Sequence, residues 1–230
     1  MSTPLPTNSL SVVMMGATGA VGTETLKKLL QMPELQQLSL LGRREISNLP
    51  ASLVQQYQID IFEPDSYQKH LRGHQFAICT LGVGQPSKIS KEEFLRIDQQ
   101  AVLDFAKACK AAGVKHFSLL SSVGIDAHSS SFFLRAKGEL VEGIIALEFE
   151  SFNIFQPSMI LTPENRYGIL QGITLAVWPL LRPLLFGSLR KYRGIPVSIL
   201  GEAMATNLLV SPKKVHYLTW DDFYHLTGKQ

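Results

Sequence analysis

The chain has 230 residues, 45% of them hydrophobic and 18% charged, with a formal net charge of +3. That length suits one α/β domain with a modest elaboration and is enough to bury a sizeable core. So small a charge, with the basic residues scattered in twos and threes, excludes a polybasic nucleic-acid-binding protein.

The N-terminus, MSTPLPTNS, lacks the charged and apolar regions of a signal peptide. Leu10–Gly16 (LSVVMMG) then reads as a central parallel strand, a continuous apolar run ending at glycine. A helix is expected from about Ala20 to Gln31, stopped by Pro33. Strands follow at Leu38–Arg44 and Tyr57–Phe62, a short helix from Pro64 to about Leu71, and a fourth strand at Gln75–Gly82. Ser90 and Glu93 make a capping box for a long helix whose apolar stripe is Phe94, Ile97, Ala101, Phe105, Ala108 and Ala112, with Gly113 as its stop. Lys115–Ser122 is a fifth strand, 132–148 a helix and Phe152–Ile160 a sixth strand. Cys79 and Cys109 lie within apolar segments without metal or redox spacing, and read as buried thiols of a reducing compartment. Together with the N-terminus they lead to the expectation of a cytoplasmic protein with no metal site.

After Ser158 the rhythm changes. The stretch Gly168–Gly187 is the most apolar, but Gln171, Arg182 and two prolines interrupt it. It falls short of the roughly 18 unbroken apolar residues of a membrane span. A buried lobe or a homodimer interface suits it better, with shallow membrane contact as the alternative. A strand at Ile195–Leu200 and a helix at Gly201–Val210 follow. Strands alternating with helices imply a doubly wound parallel sheet in a single domain, with a small C-terminal apolar lobe over 158–195.

The sequence GATGAVG sits between the first strand and the first helix. In that position Gly16 permits the tight turn, Gly19 lets the backbone approach a pyrophosphate, and Gly22 lets helix and strand pack closely. Gly16, Thr18, Gly19, Ala20, Val21 and Gly22 are therefore the expected phosphate cradle of a Rossmann dinucleotide site. An NAD site usually has an acid about 20 residues beyond these glycines. Here that count reaches Gly42, then Arg43 and Arg44. Guanidinium groups complement a 2′-phosphate, so NADP(H) is favoured over NAD(H). Asp60 could accept from the adenine amino group with Ile61 beside the ring, or simply open a turn. Leu81 and Gly82, at the end of the fourth strand, lie where a side chain would meet a bound ribose.

GATGAVG, LLGRR, IDIFEPDSY, CTLG, AGVKHFSLLSSVG, FFLRAKGELVE and FNIFQPSMIL, in this order, resemble the atypical short-chain dehydrogenase/reductases, and the branch most similar is that of the Tat-interacting-protein oxidoreductases. The resemblance implies a Ser at the end of the fifth strand that polarises a substrate carbonyl, a Tyr that donates the proton, and a Lys four residues later that holds the nicotinamide ribose. Ser122, or its neighbour Ser121, matches the Ser and Lys137 the Lys. Phe133 stands at the Tyr position, and a phenyl ring cannot donate a proton. The family turn that contacts the carboxamide end of the cofactor maps onto Pro157 and Ser158.

Three readings remain open. The first is reduction of a hydrophobic quinone or flavin-like acceptor that takes its proton from solvent. The second moves the acid to His128 or Tyr167. The third is NADP(H) binding without turnover, as a regulatory or assembly partner of another protein. LRKYRG (Leu189–Gly194) is a small basic patch beside the lobe, suited to an acidic partner or a lipid headgroup, or merely solvated.

Overall fold

The first strand, β1 (Leu10–Met15), sets the plan of the molecule because its side chains alternate between two apolar layers. Val12 and Met14 join one core cluster, Val13 and Met15 the other, as a strand buried on both faces requires. The computed structural model describes residues 9–163, 185–210 and 214–229. Within them β1 is joined by β2 (Leu35–Gly42), β3 (Val54–Gln58), β4 (Phe76–Cys79), β5 (His116–Leu120), β6 (Ser151–Phe155) and β9 (Lys214–Leu218). The order is β3-β2-β1-β4-β5-β6-β9, with every neighbouring pair parallel. β7 (Ile160–Leu161) and β8 (Ile195–Pro196) pair separately. The winding reverses between β1 and β4, and that switch point is where open α/β sheets bind ligands.

Helices cover both faces. Side chains of α1 (Ala20–Leu29), α5 (Val197–Thr206) and α6 (Trp220–Thr227) fill the cluster containing Val12. Those of α3 (Val102–Ala111) and α4 (Phe132–Ile145) fill the cluster containing Val13. This is the expected doubly wound Rossmann sheet, and Cys79 and Cys109 are buried free thiols within it.

Several element boundaries differ from the sequence expectation. β2 ends at Gly42, which leaves Arg43 and Arg44 in the loop beyond it. β3 covers 54–58, not 57–62, because the chain turns at Asp60, whose carboxylate accepts the Phe62 amide at 2.9 Å. The helix expected after Pro64 is two short 3₁₀ turns. The strand expected at Ile195–Leu200 stops after Pro196, and α5 begins at Val197 instead of Gly201. Val197, Leu200 and Gly201 are buried at helical spacing, so a short apolar run that also fits a strand was claimed by the helix packed on α1. β9 and α6 were not anticipated. Most of the expected 158–195 lobe, including Tyr167, lies outside the described residues.

The long helix expected after Ser90 is broken into α2 (Lys91–Phe94), a π-helical stretch Leu95–Ala101, and α3. Ser90 caps it, its Oγ accepting from the Glu93 amide at 3.0 Å. The widened turn presents Asp98 to the interior, 3% exposed, while Ile97 is only half-buried. π-bulges of this kind occur often at functional sites.

Candidate functional site

The turn after β1 is built around its glycines. Gly16 has φ +95°, a left-handed conformation that disfavours any other residue. A Cβ on Gly22 would lie 2.1 Å from the Gly16 carbonyl oxygen, so α1 can approach β1 this closely only without a side chain there. Thr80 Oγ1, at the end of β4, donates to the Gly16 carbonyl at 3.0 Å and fixes the loop from the other side. Gly19 is the N-cap of α1 and supplies no capping side chain. The first-turn amides of Ala20, Val21 and Gly22 lack intrahelical partners by position, and they converge with the positive end of the helix dipole. Thr18 and Gly19 are exposed at the mouth. A cradle that any Cβ would fill, walled by uncapped N–H groups, fits a dinucleotide pyrophosphate.

Beside it, Gly16, Ala17, Thr18, Gly42, Arg44 and Glu45 line a shallow pocket. Gln56 holds its far wall by bonding both the amide and the carbonyl of Ile46, at 2.8 and 2.9 Å. Arg43 is exposed and does not line this pocket. Glu45 does, and the count beyond the glycines missed it because that count stops at the strand end, whereas the loop folds back over it. Asp60 is exposed with its carboxylate engaged by the Phe62 amide, and Ile61 is packed in the core with Val13 and Leu41.

At the end of β4, Leu81 and Gly82 run past the π-helical turn. Asp98 Oδ2 accepts the Val83 amide at 2.8 Å and Oδ1 pairs with Lys137 Nζ at 3.1 Å. A Cβ on Gly82 would stand 3.0 Å from Asp98 Oδ1. Gln99 Nε2 adds bonds to the Ala136 carbonyl (3.2 Å) and to Glu139 (2.9 Å), tying the same turn to α4. Asp98 went unread in the sequence because a regular α-helical period turns Ile97 inward. Cys79 lies behind this pair, and burial pushes its thiol up to about 12, so it is not a nucleophile at neutral pH.

Phe133 lies one turn before Lys137 on α4 and is 36% exposed. It meets Phe94 edge-on at 4.9 Å and Phe132 at 5.4 Å between ring centroids. Lys137 Nζ lies 5.8 Å from the Phe94 centroid. The position of the family tyrosine is thus occupied by an aromatic cluster beside the lysine.

The β5–β6 ladder continues past both strands. Ser121 N donates to the Phe155 carbonyl at 2.8 Å and Val123 N to the Pro157 carbonyl at 3.0 Å, which brings Ser122 alongside the 156–158 turn. Among the described residues Ser121 Oγ is buried without a hydrogen-bond partner, whereas Ser122 Oγ is half-buried with a long 3.3 Å contact to the Val123 carbonyl. Pro157 is buried and Ser158 half-buried. His128 is exposed, its amide donating to Asp126 Oδ1 at 2.8 Å. The 126–131 loop is strapped to α4 by Arg135 Nη1, which donates to the Ser129 carbonyl at 2.8 Å.

Residues 16–156 match the sequence profile of a family described as NAD(P)H-binding. Protein HTATIP2 of Rattus norvegicus is 34% identical over 210 residues, which cover 88% of this chain and 82% of that protein. Protein FMP52-1, mitochondrial, of Scheffersomyces stipitis is 30% identical, covering 84% and 81% of the two chains. Among solved structures, MoeE5 in complex with UDP-glucose and NAD superposes with a TM-score of 0.68 at 17% identity, covering 95% of this chain and 82% of that one. The Citrobacter sp. triphenylmethane reductase complexed with NADP(H) gives 0.64 at 17% identity, covering 91% and 70%. At such identities these two matches establish the fold.

The resemblance to the Tat-interacting-protein branch is upheld by the rat relative. The cytoplasmic expectation is overturned, because the fungal relatives are named as mitochondrial proteins. Buried free thiols do not distinguish the cytosol from that organelle. Among the described residues no helix is long and apolar enough to cross a membrane. A glycine cradle at the switch point of a parallel sheet and a profile match over most of that sheet lead to one assignment: the chain belongs to the NAD(P)H-binding family of Rossmann-fold proteins, in its atypical short-chain dehydrogenase/reductase group.

Proposed function

We propose that the chain is an NADP(H)-dependent reductase of a hydrophobic carbonyl, quinone or flavin-like acceptor, working without a tyrosine proton donor. The observation that carries this reading is Lys137, held by buried Asp98 at the β4 end of the cofactor cleft, beside an aromatic surface where a hydroxyl is expected. The cofactor, when bound, supplies a hydride from its nicotinamide ring. Lys137 would hold the ribose hydroxyls, the 157–158 turn would meet the carboxamide end, and the first turn of α1 would hold the pyrophosphate. Arg44, lining the pocket beside the glycine turn, would meet a 2′-phosphate, with Glu45 next to it opposing that preference. Asp60 Oδ1 is engaged by the Phe62 amide within its own turn.

On the acceptor side, Ser122 orients an oxygen, and Phe133, Phe94 and Phe132 form an apolar wall that excludes water on one flank. Acceptors whose reduced form is a stabilised anion need no proton at the moment of hydride transfer, which suits a site with phenylalanine at position 133.

The test is a fluorescence titration with NADPH and NADH, followed by NADPH oxidation against quinones, free flavins and aldehydes. Tighter NADPH binding with turnover of quinone or flavin is expected. Binding without turnover on any acceptor would replace this reading with that of a regulatory NADP(H)-binding protein. No binding of either nucleotide would end both.

A further inference from the structure

The basic LRKYRG patch is absorbed by none of the above. Its first four residues lie on the 3₁₀ helix Gly187–Tyr192, which Phe186 and Arg193 flank in extended conformation. In a 3₁₀ helix, residues three apart eclipse one another, so Leu189 and Tyr192 share one face and Ser188 and Lys191 another. Arg190 and, just past the helix, Arg193 are bound to α6: Arg190 Nη2 pairs with Asp221 Oδ1 at 2.5 Å, and both guanidinium groups lie over Trp220, at 5.4 and 5.0 Å from the ring centroid. Arg193 Nε also donates to the Leu185 carbonyl at 2.7 Å. The segment is therefore fixed in orientation. Leu189 and Tyr192, with Phe186 at the helix start, are exposed by 46%, 36% and 71%. The neighbouring face holds exposed Ser188 and Lys191, with Lys191 Nζ 5.3 Å from the Tyr192 ring.

Phe186, Leu189 and Tyr192 thus make an apolar ridge that the arginines hold facing solvent. We propose that this ridge docks on an anionic phospholipid surface. Its charge selects that occupant. Arg190, Lys191 and Arg193 against Asp221 leave an excess of two positive charges beside the ridge, which complements anionic headgroups. A second copy is disfavoured, because a two-fold contact would set this same cationic patch against itself. The ridge is also small for a protein partner. Three side chains of at most about 250 Å² each, only 71%, 46% and 36% exposed, fall well short of the ~800 Å² a stable interface buries per side. A single aromatic and aliphatic ridge rimmed by lysine and arginine is the composition that settles at headgroup depth.

The experiment is vesicle flotation of the full chain, with phosphatidylcholine alone and with about 30% phosphatidylserine added. Preferential flotation with the serine-lipid vesicles, weakened by salt, is expected. Phe186→Ser with Leu189→Ser should lower partitioning by about tenfold or more. Lys191→Glu should remove most of the preference for anionic vesicles. Both variants should keep wild-type NADPH affinity and melting temperature, since the altered side chains are exposed. Absence of flotation with anionic vesicles, or flotation that neither variant alters, would overturn the proposal. So would a wild-type dimer in ultracentrifugation that Phe186→Ser with Leu189→Ser converts to monomer, since the ridge would then belong to a copy–copy contact.

Discussion

Asp98 and Lys137 form a largely buried ion pair, 3.1 Å from Oδ1 to Nζ, joining the π-helical turn to α4 across the end of β4. The second carboxylate oxygen is taken by the Val83 amide. Removing one partner from such a pair leaves the other charge desolvated, at a cost of about 3 kcal/mol. Asp98→Ala should therefore lower the unfolding free energy in urea by about that amount and weaken NADPH binding. Asp98→Asn, which keeps an acceptor for Val83, should cost less stability while still weakening the nucleotide. Wild-type stability in Asp98→Ala would show that the pair does not hold the site together.

Phe133 occupies the proton-donor position with its ring already partly exposed. Phe133→Tyr should raise NADPH-dependent aldehyde or ketone reduction by about a hundredfold, the usual contribution of a positioned general acid. Quinone reduction should change little. An unchanged carbonyl rate would place the defect elsewhere in the cleft.

Gly22→Ala is small in sequence terms and large in space. The new Cβ would meet the Gly16 carbonyl oxygen at 2.1 Å, and that oxygen belongs to backbone that cannot yield cheaply. A loss of about 2 kcal/mol or more is expected in thermal melts, together with loss of detectable NADPH binding. A variant that binds nucleotide normally would mean the glycine loop is not the cradle.

His74 bridges two strands, its Nδ1 2.9 Å from Ser11 Oγ and its Nε2 2.9 Å from Ser39 Oγ. Burial pushes its pKa down to about 4, against 6.5 in an unstructured chain. Because the folded value is the lower one, the unfolded chain binds the proton first as pH falls. The stabilisation is complete above pH 6.5 and is lost as pH falls through 4, in total about 3 kcal/mol. Urea midpoints measured from pH 7.5 down to 4 should fall accordingly, and His74→Gln should flatten that curve. A wild-type curve that is already flat would show that His74 titrates normally.

Arg44 and Glu45 face the same small pocket with opposite charge. Arg44→Ala should weaken NADPH by about tenfold and leave NADH nearly unchanged, as loss of one charge-assisted bond predicts. Glu45→Ala should strengthen NADPH relative to NADH. Equal effects on both nucleotides would assign the pocket no part in discrimination.

What the sequence determined by itself is local. The strand–glycine–helix unit around Gly16–Gly22, the alternation of strands with helices and the spacing of Phe133 and Lys137 on one helix face are properties of short windows, where side-chain period and backbone freedom are written residue by residue. Only the tertiary structure decided the rest. Asp98 turns inward because the helix opens into a π turn and Lys137, 39 positions away, is there to receive its charge. Glu45 reaches the pocket because Gln56 folds its loop back. The 186–192 ridge faces solvent because Asp221 and Trp220, on a helix the sequence pattern did not announce, hold the arginines beside it. Whether a charge is buried or an apolar side chain is left exposed depends on partners distant in the chain, and no local period encodes them.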